Sequence, residues 1–495
     1  MAEPRKLLDR LWFWPVLLAL GAHLPALWHP LVWDDLRVVA GNPSIRALGD
    51  LRHVLLGSQR PTTNLVYAVE YALGHGQPLW FHLGSILAHA GTTCLLIVLA
   101  RRLRDRHNVH LSPMWIGAVF AIHPLVVESV DYPAALPGVL CAFFSLAAFL
   151  SLRERRGPQV LGLVCFALAL GSKESAAALP LVLIVDATVF SPNADRRALW
   201  TRHLGLCVLV AVAGAWRLSL HLGRQNGSLP SLSHLGTQAV VLFGYARLLV
   251  IPVGFSLYHD IAPSLPLMLG AIAAVLAIVI AVAVRGLAWL RFGLAWFVLY
   301  LLPSSLLPLR EPMAEHRVYE ALPGALIAFA AAIQLFPSRV RLPILAFFVA
   351  AFTFTGLSRA ALWKSERALW ADAAAKAPNA WVPTYSYGDA LRLAGDCRAA
   401  VPVYDHAISL TDLDTRAHQN RGLCRAELGD LAGARDDFEV ALRRDPRDPS
   451  LPYNLGLLAE AEGDLPTART WFAAVLAIQP SHAGAARALA RVGKP

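Results

Sequence analysis

The chain has 495 residues, of which 56% are hydrophobic and 16% charged. An ordinary soluble domain is roughly 45–50% apolar and about 25% charged, so a wholly soluble protein is excluded. The net charge of +10 would point a soluble domain toward nucleic acid. Here much of the basic charge lies in short loops between apolar runs, where it signals membrane topology instead.

Arg5, Lys6 and Arg10 precede an apolar run from Leu11 to Trp28 with no small-residue cleavage site. That run reads as a retained first transmembrane helix. Crossing hydrocarbon takes about 20 helical residues, and about eleven segments are predicted to cross: 11–29, 79–100, 113–128, 134–152, 158–172, 174–191, 203–222, 264–284, 289–309, 318–336 and 342–359. The segment from His234 to Ile251 reads as an interfacial or re-entrant helix, because a full crossing there would invert every later loop.

With the N-terminus in the cytoplasm, the basic clusters all fall on the cytoplasmic side. They are Arg101-Arg102-Leu103-Arg104, Arg153-Glu154-Arg155-Arg156, Arg196-Arg197 with Arg202, Arg285 with Arg291, and Arg339 with Arg341. The loops left facing outward carry Trp33-Asp34-Asp35, His123-Pro124 with Glu128, Lys173-Glu174, Tyr258-His259-Asp260 and Glu315-His316-Arg317-Val318-Tyr319. Ionisable groups at membrane depth are costly and usually functional, so one shared outer site is expected. The plainer reading is that loops are polar because they are loops.

From about Ala380 the chain repeats itself. Gly388, Gly422 and Gly456 recur in phase with Gly395, Gly429 and Gly463, each of the latter followed by an aspartate. Ala400, Ala434 and Ala468 keep the same phase, as do Tyr404, Phe438 and Phe472. The pattern resembles the tetratricopeptide repeat, whose period is about 34 residues. The expected layout is a membrane domain over 1–360 with a long first outer loop (30–78), and a connecting helix over 361–379. Repeats 380–414, 415–448 and 449–482 and a C-terminal helix follow. Such repeats present a concave surface suited to peptide, or simply brace the membrane domain. On the assigned topology they lie outside the cytoplasm, where a Cys397–Cys424 disulfide is permitted.

The pair Asp34-Asp35, directly after the first span, suits general-base chemistry on a hydroxyl or metal binding. Further on come Asn42-Pro43, Arg60-Pro61-Thr62-Thr63-Asn64, Phe81-His82-Leu83 with His89, His123-Pro124 with Glu128, Ser172-Lys173-Glu174-Ser175, and Glu315 to Tyr319 before the repeats. In that order these motifs resemble the transmembrane-and-tetratricopeptide-repeat protein O-mannosyltransferases and their bacterial relatives, membrane glycosyltransferases of GT-C type.

The resemblance implies an all-α membrane bundle with a C-terminal α-solenoid. It also implies inverting transfer of mannose or another hexose from a polyprenyl or dolichyl phosphate carrier to an acceptor hydroxyl, on protein. Asp34 or Asp35 would be the base. Arg317 and then Lys173 would hold the donor phosphate, since guanidinium pairs with phosphate bidentately. Glu128, Glu174, Glu315, His123, His259, Tyr319 and Arg60 would support them. No metal ligand set is assigned, and a divalent metal is left open. The expected setting is a bacterial inner membrane, with the N-terminus cytoplasmic and the repeats periplasmic. The alternative is a non-catalytic membrane scaffold or transporter that presents the repeats to a protein partner.

Overall fold

In a computed structural model, residues 13–107, 112–153, 158–190, 203–215, 231–307, 309, 311–411 and 413–493 are described. The basic residues Arg5, Lys6, Arg10, Arg155, Arg156, Arg196, Arg197 and Arg202 lie outside them, as do residues 216–222 of the expected span at 203–222. The expected all-α architecture is borne out: among the described residues there is no strand. Two compact units divide the chain, 1–365 and 366–495.

The first unit contains α1 (Trp14–His23), α2 (Pro61–Gly74), α3 (Pro78–His107), α4 (Pro113–Ile122), α5 (Pro124–Val130), α6 (Leu136–Leu152), α7 (Gln159–Ser172), α8 (Leu179–Phe190), α9 (Leu232–Val250), α10 (Leu265–Arg285), α11 (Ala288–Leu306), α12 (Leu322–Ile333) and α13 (Ser338–Ala360). Proline opens α2, α3, α4 and α5 and falls in the first turn of α6, α10 and α12. Its missing N–H costs nothing there, and its fixed φ suits a helix start.

Five segments are long and apolar enough to cross a bilayer: Pro78–Arg106, Pro133–Leu152, Leu265–Val284, Ala288–Leu306 and Ser338–Lys364. The expected single crossing at 113–128 is instead a broken helix. α4 and α5 meet at 59°, because Pro124 cannot continue the α4 hydrogen-bond ladder and His123 turns into extended backbone to cap α5. Four more expected spans appear as shorter apolar helices, Trp14–Trp28, Gln159–Ser172, His203–Ala215 and Leu322–Ile333, and another as α8. The first loses its α-geometry at Leu24, where Pro25 turns it into a 3-10 helix.

α10 shows what these helices face: only 11% of its most apolar window is buried, and Leu265, Ile280 and Val284 are exposed. So continuous an apolar surface belongs in lipid. Inside, Phe149, Phe292, Trp296 and Tyr300 are buried together. α11 and α12 approach so closely that a Cβ on Gly293 would stand 2.5 Å from the Gly324 carbonyl oxygen. Small residues allow this contact between membrane helices.

The second unit is a run of helix pairs: α14 (Glu366–Lys376), α15 (Trp381–Leu393), α16 (Cys397–Leu410), α17 (Thr415–Glu427), α18 (Leu431–Arg444), α19 (Ser450–Ala461), α20 (Leu465–Ile478) and α21 (Ala483–Val492). The repeated Gly-Asp has one cause each time. Gly395, Gly429 and Gly463 have φ of 77°, 86° and 82°, a left-handed turn that ends the first helix of a pair without a Cβ clash. Asp396, Asp430 and Asp464 then cap the second helix by accepting from a backbone N–H three residues on. Gly388, Gly422 and Gly456 lie against Tyr404, Phe438 and Phe472, whose rings would stand 2.8, 2.7 and 2.6 Å from an added Cβ. Cys397 and Cys424 are joined as a disulfide, with Cα atoms 4.9 Å apart.

Candidate functional site

α5, the 3-10 turn Glu315–Val318 and the end of α13 converge on one buried ionic network. Glu128 sits 2.6 Å from His316 Nδ1 through one oxygen and 3.2 Å from Arg359 Nη2 through the other. The same Arg359 nitrogen lies 2.8 Å from Glu315. The other Glu315 oxygen accepts from the Ser256 backbone N–H at 2.7 Å and meets His259 Nε2 at 2.8 Å. Glu128, Glu315 and Arg359 are at most 5% exposed, so each charge needs the others.

Glu311, half-buried, ties down Arg317 of the same turn. Its backbone oxygen accepts from Arg317 Nη1 at 2.7 Å. Burial raises the Glu311 pKa; Arg317 and His316 pull it down, while Glu128 and Asp34 push it up.

The two aspartates of the first loop are placed differently. Asp35 is fully buried and accepts from the backbone N–H groups of Val32, at 3.1 Å, and Ala134, at 2.7 Å. The Asp34 side chain is 39% exposed and pairs with Arg37 at 3.1 Å. Between the loops, Trp33 takes a φ of 50° and stacks on Tyr132. Tyr132 stacks in turn on Trp363. Positive φ is uncommon for a bulky residue and marks a constrained position.

The remaining expected site residues make other contacts. Lys173 is buried 2.7 Å from Glu320, which also accepts from the Ser175 hydroxyl. Arg60 lies 3.7 Å from Glu174. Tyr319 is buried with its hydroxyl 2.7 Å from His89 Nδ1. His89 packs edge-on against His23, which pairs with Asp131 at 2.6 Å. His123 accepts from Leu125 N–H, approaches the Leu249 carbonyl oxygen and packs on Phe352. Instead of one cluster of five outer loops, the fold holds one network plus separate pairs. Among the described residues, no group of three His, Cys, Asp or Glu side chains is arranged to hold a metal.

Sequence reasoning missed Arg359, Glu320, Glu311 and Asp131. The signal for Arg359 was a single guanidinium ending a long apolar run, which intramembrane cost alone marks as special.

The tetratricopeptide-repeat family matches residues 385–449 and 438–483. The human protein O-mannosyl-transferase TMTC4 is 32% identical over 144 residues, 24% of this chain and 19% of that protein. The mouse protein O-mannosyl-transferase TMTC3 is 32% identical over 101 residues, 20% of this chain and 10% of that protein. The matched regions thus span a fifth or less of these curated relatives. A crystal structure of ArnT from Cupriavidus metallidurans bound to undecaprenyl phosphate aligns with 89% of this chain and 80% of its own, at 16% identity and a TM-score of 0.38. The resemblance to the transmembrane-and-tetratricopeptide-repeat O-mannosyltransferases is borne out by the two curated O-mannosyl-transferases and the repeat match.

Proposed function

We propose that this integral membrane protein, a relative of the protein O-mannosyl-transferases, is an inverting glycosyltransferase. It moves mannose or another hexose from a polyprenyl or dolichyl phosphate carrier to a hydroxyl, on a polypeptide, on the outer side of the membrane. The observation that carries the reading is the split between the two loop aspartates, Asp35 buried on backbone N–H groups and Asp34 left with an accessible carboxylate, in a fold that also ties down the guanidinium of Arg317.

In this reading Asp34 takes the proton from the acceptor hydroxyl as its oxygen attacks the anomeric carbon. The bond from that carbon to the phosphate oxygen breaks, and the carrier phosphate leaves with the electron pair. Arg317 pairs with the departing phosphate through its forked N–H groups. Asp35 fixes the loop by bridging Val32 and Ala134. Glu128, Glu315, His259 and Arg359 hold the 315–318 turn that carries Arg317. Lys173 ranks behind Arg317 because Glu320 already neutralises it. Arg60, Glu174, His123 and Tyr319 support the surrounding loops.

The disulfide in the repeats favours an oxidising compartment, in keeping with a cytoplasmic N-terminus, a bacterial inner membrane and periplasmic repeats that receive the acceptor. The scaffold reading draws on one observation: the charges of the five-residue network are paired with one another without a substrate.

The deciding measurement is sugar transfer in nanodiscs from polyprenyl- and dolichyl-phosphate mannose, glucose and arabinose, comparing wild type with Asp34→Asn and Asp35→Asn. Transfer lost in Asp34→Asn with donor binding retained supports the enzyme and its base. Equal transfer in all three removes the carboxylates from the chemistry. A donor that no acceptor pool consumes favours the scaffold.

A further inference from the structure

A cavity of about 460 Å³ lies between α4, α12 and α13, within the ~300–1,000 Å³ range of ligand pockets. Val119, Phe329 and Leu345 line its apolar part, and Trp115, Gln334 and Arg341 line its polar part. Arg341 is held rigidly: it donates to the Phe336 carbonyl at 2.8 Å, Gln334 Oε1 at 2.7 Å and the Gln334 carbonyl at 2.8 Å. These bonds cap the last carbonyls after α12. They use three of the five N–H groups of a guanidinium and leave its charge uncompensated by any of these neutral partners.

This charge stands far from the network described above. Arg341 and Arg359 lie on the same helix, 18 residues apart (359 − 341). At ~1.5 Å per residue that is about 27 Å, close to the ~30 Å thickness of bilayer hydrocarbon. α4 likewise leads from the cavity at Ser112 to α5, which carries Glu128, and α12 leads from Gln334 back to the turn that carries Glu315. The cavity therefore lies at the membrane face opposite the candidate site, on the side to which the basic loops assign the cytoplasm. Trp115 lies in the first turn of α4, and helix ends at a membrane face are where indoles are enriched.

We infer that this cavity binds one anionic glycerophospholipid of the cytoplasmic leaflet, its phosphate at Arg341 and an acyl chain along Val119, Phe329 and Leu345. Basic pockets between membrane helices on this side attract anionic headgroups, and a Lys or Arg near an anionic membrane surface is worth about 1 kcal/mol. The inference rests on the membrane-spanning architecture and stands apart from the transferase reading.

The test is native mass spectrometry of the full chain, loaded with phosphatidylglycerol or phosphatidylcholine and stripped stepwise. Expected is one tightly retained phosphatidylglycerol, held about fivefold more weakly in Arg341→Gln, the factor that corresponds to about 1 kcal/mol. Arg341→Lys keeps most of the retention. Ala330→Phe, which fills the cavity and leaves the helix cap intact, loses it too. Equal retention in wild type and both Arg341→Gln and Ala330→Phe overturns the site. So does equal retention of the two phospholipids, or displacement of phosphatidylglycerol by undecaprenyl phosphate at lower concentration, which would assign the cavity to the carrier lipid.

Discussion

Arg359 and Glu128 lie 231 residues apart in sequence, yet the guanidinium stands 3.2 Å from the carboxylate, both buried. The contact ties the end of the last membrane helix to the short helix after the α4 break. Without Arg359, Glu128 and Glu315 remain buried without its positive charge. Arg359→Met is expected to cost about 3–5 kcal/mol, the range for removing one partner of a buried ion pair. Adding Glu315→Gln should recover part of that loss. Thermal unfolding of the single and double variants in one detergent checks the coupling; strictly additive losses would dissolve the network as an energetic unit.

Asp34 and Asp35 should separate by what they break. Asp35→Asn weakens charge-assisted bonds to two backbone N–H groups and is expected to cost about 1.5–3 kcal/mol. Asp34→Asn, at a half-exposed position, should stay within about 0.5 kcal/mol of wild type. Melting curves measured beside the transfer assay read both. A destabilised Asp34→Asn would make its activity loss uninformative.

Arg317→Lys keeps the charge and loses the fork. The expected outcome is a raised KM for the lipid-phosphate donor, with the melting temperature almost unmoved. An unchanged donor KM would take Arg317 out of phosphate recognition.

The Cys397–Cys424 disulfide closes a segment with a sequence separation of 27. Loop closure of that length is worth about 3–4 kcal/mol in the chain-entropy account. Reductant, or Cys424→Ser, should therefore lower the unfolding temperature of the repeats. Intact mass after alkylation should show no free thiol at either position before reduction; two alkylated thiols there would remove the bridge.

In the repeats, burial raises the Asp437 pKa, but bonds from His418, Arg421 and Arg425 outweigh it and hold the carboxyl below its usual value. A carboxyl depressed in the folded state stabilises it above the unfolded pKa of about 3.9, and that contribution is lost as pH falls through the folded value. Wild type should exceed Asp437→Asn in unfolding temperature by a constant margin above about pH 5, shrinking below ~pH 4. A margin independent of pH would mean that packing, not charge, stabilises this position.

Local chemistry made much of the architecture readable. The repeats were legible because each recurring residue has a job fixed within a few positions: Gly429 ends a helix, Asp430 caps the next, and Gly422 admits Phe438. The long apolar crossings were legible because about 20 apolar residues have no comfortable place in water. The break at His123-Pro124 and the shortness of α12 were less so, since periodicity does not report where a helix bends.

The site divided along the same line. Sequence alone determined that acidic, basic and imidazole groups gather in the loops between crossings, because charges beside apolar runs are too costly to be incidental. It did not determine which of them meet. Arg359 closes on Glu128 and Glu315, Lys173 turns to Glu320, and Asp35 is spent on backbone while Asp34 stays accessible. Those pairings join residues far apart in the chain, and only packed helices bring a buried charge to the one partner that can offset its lost hydration.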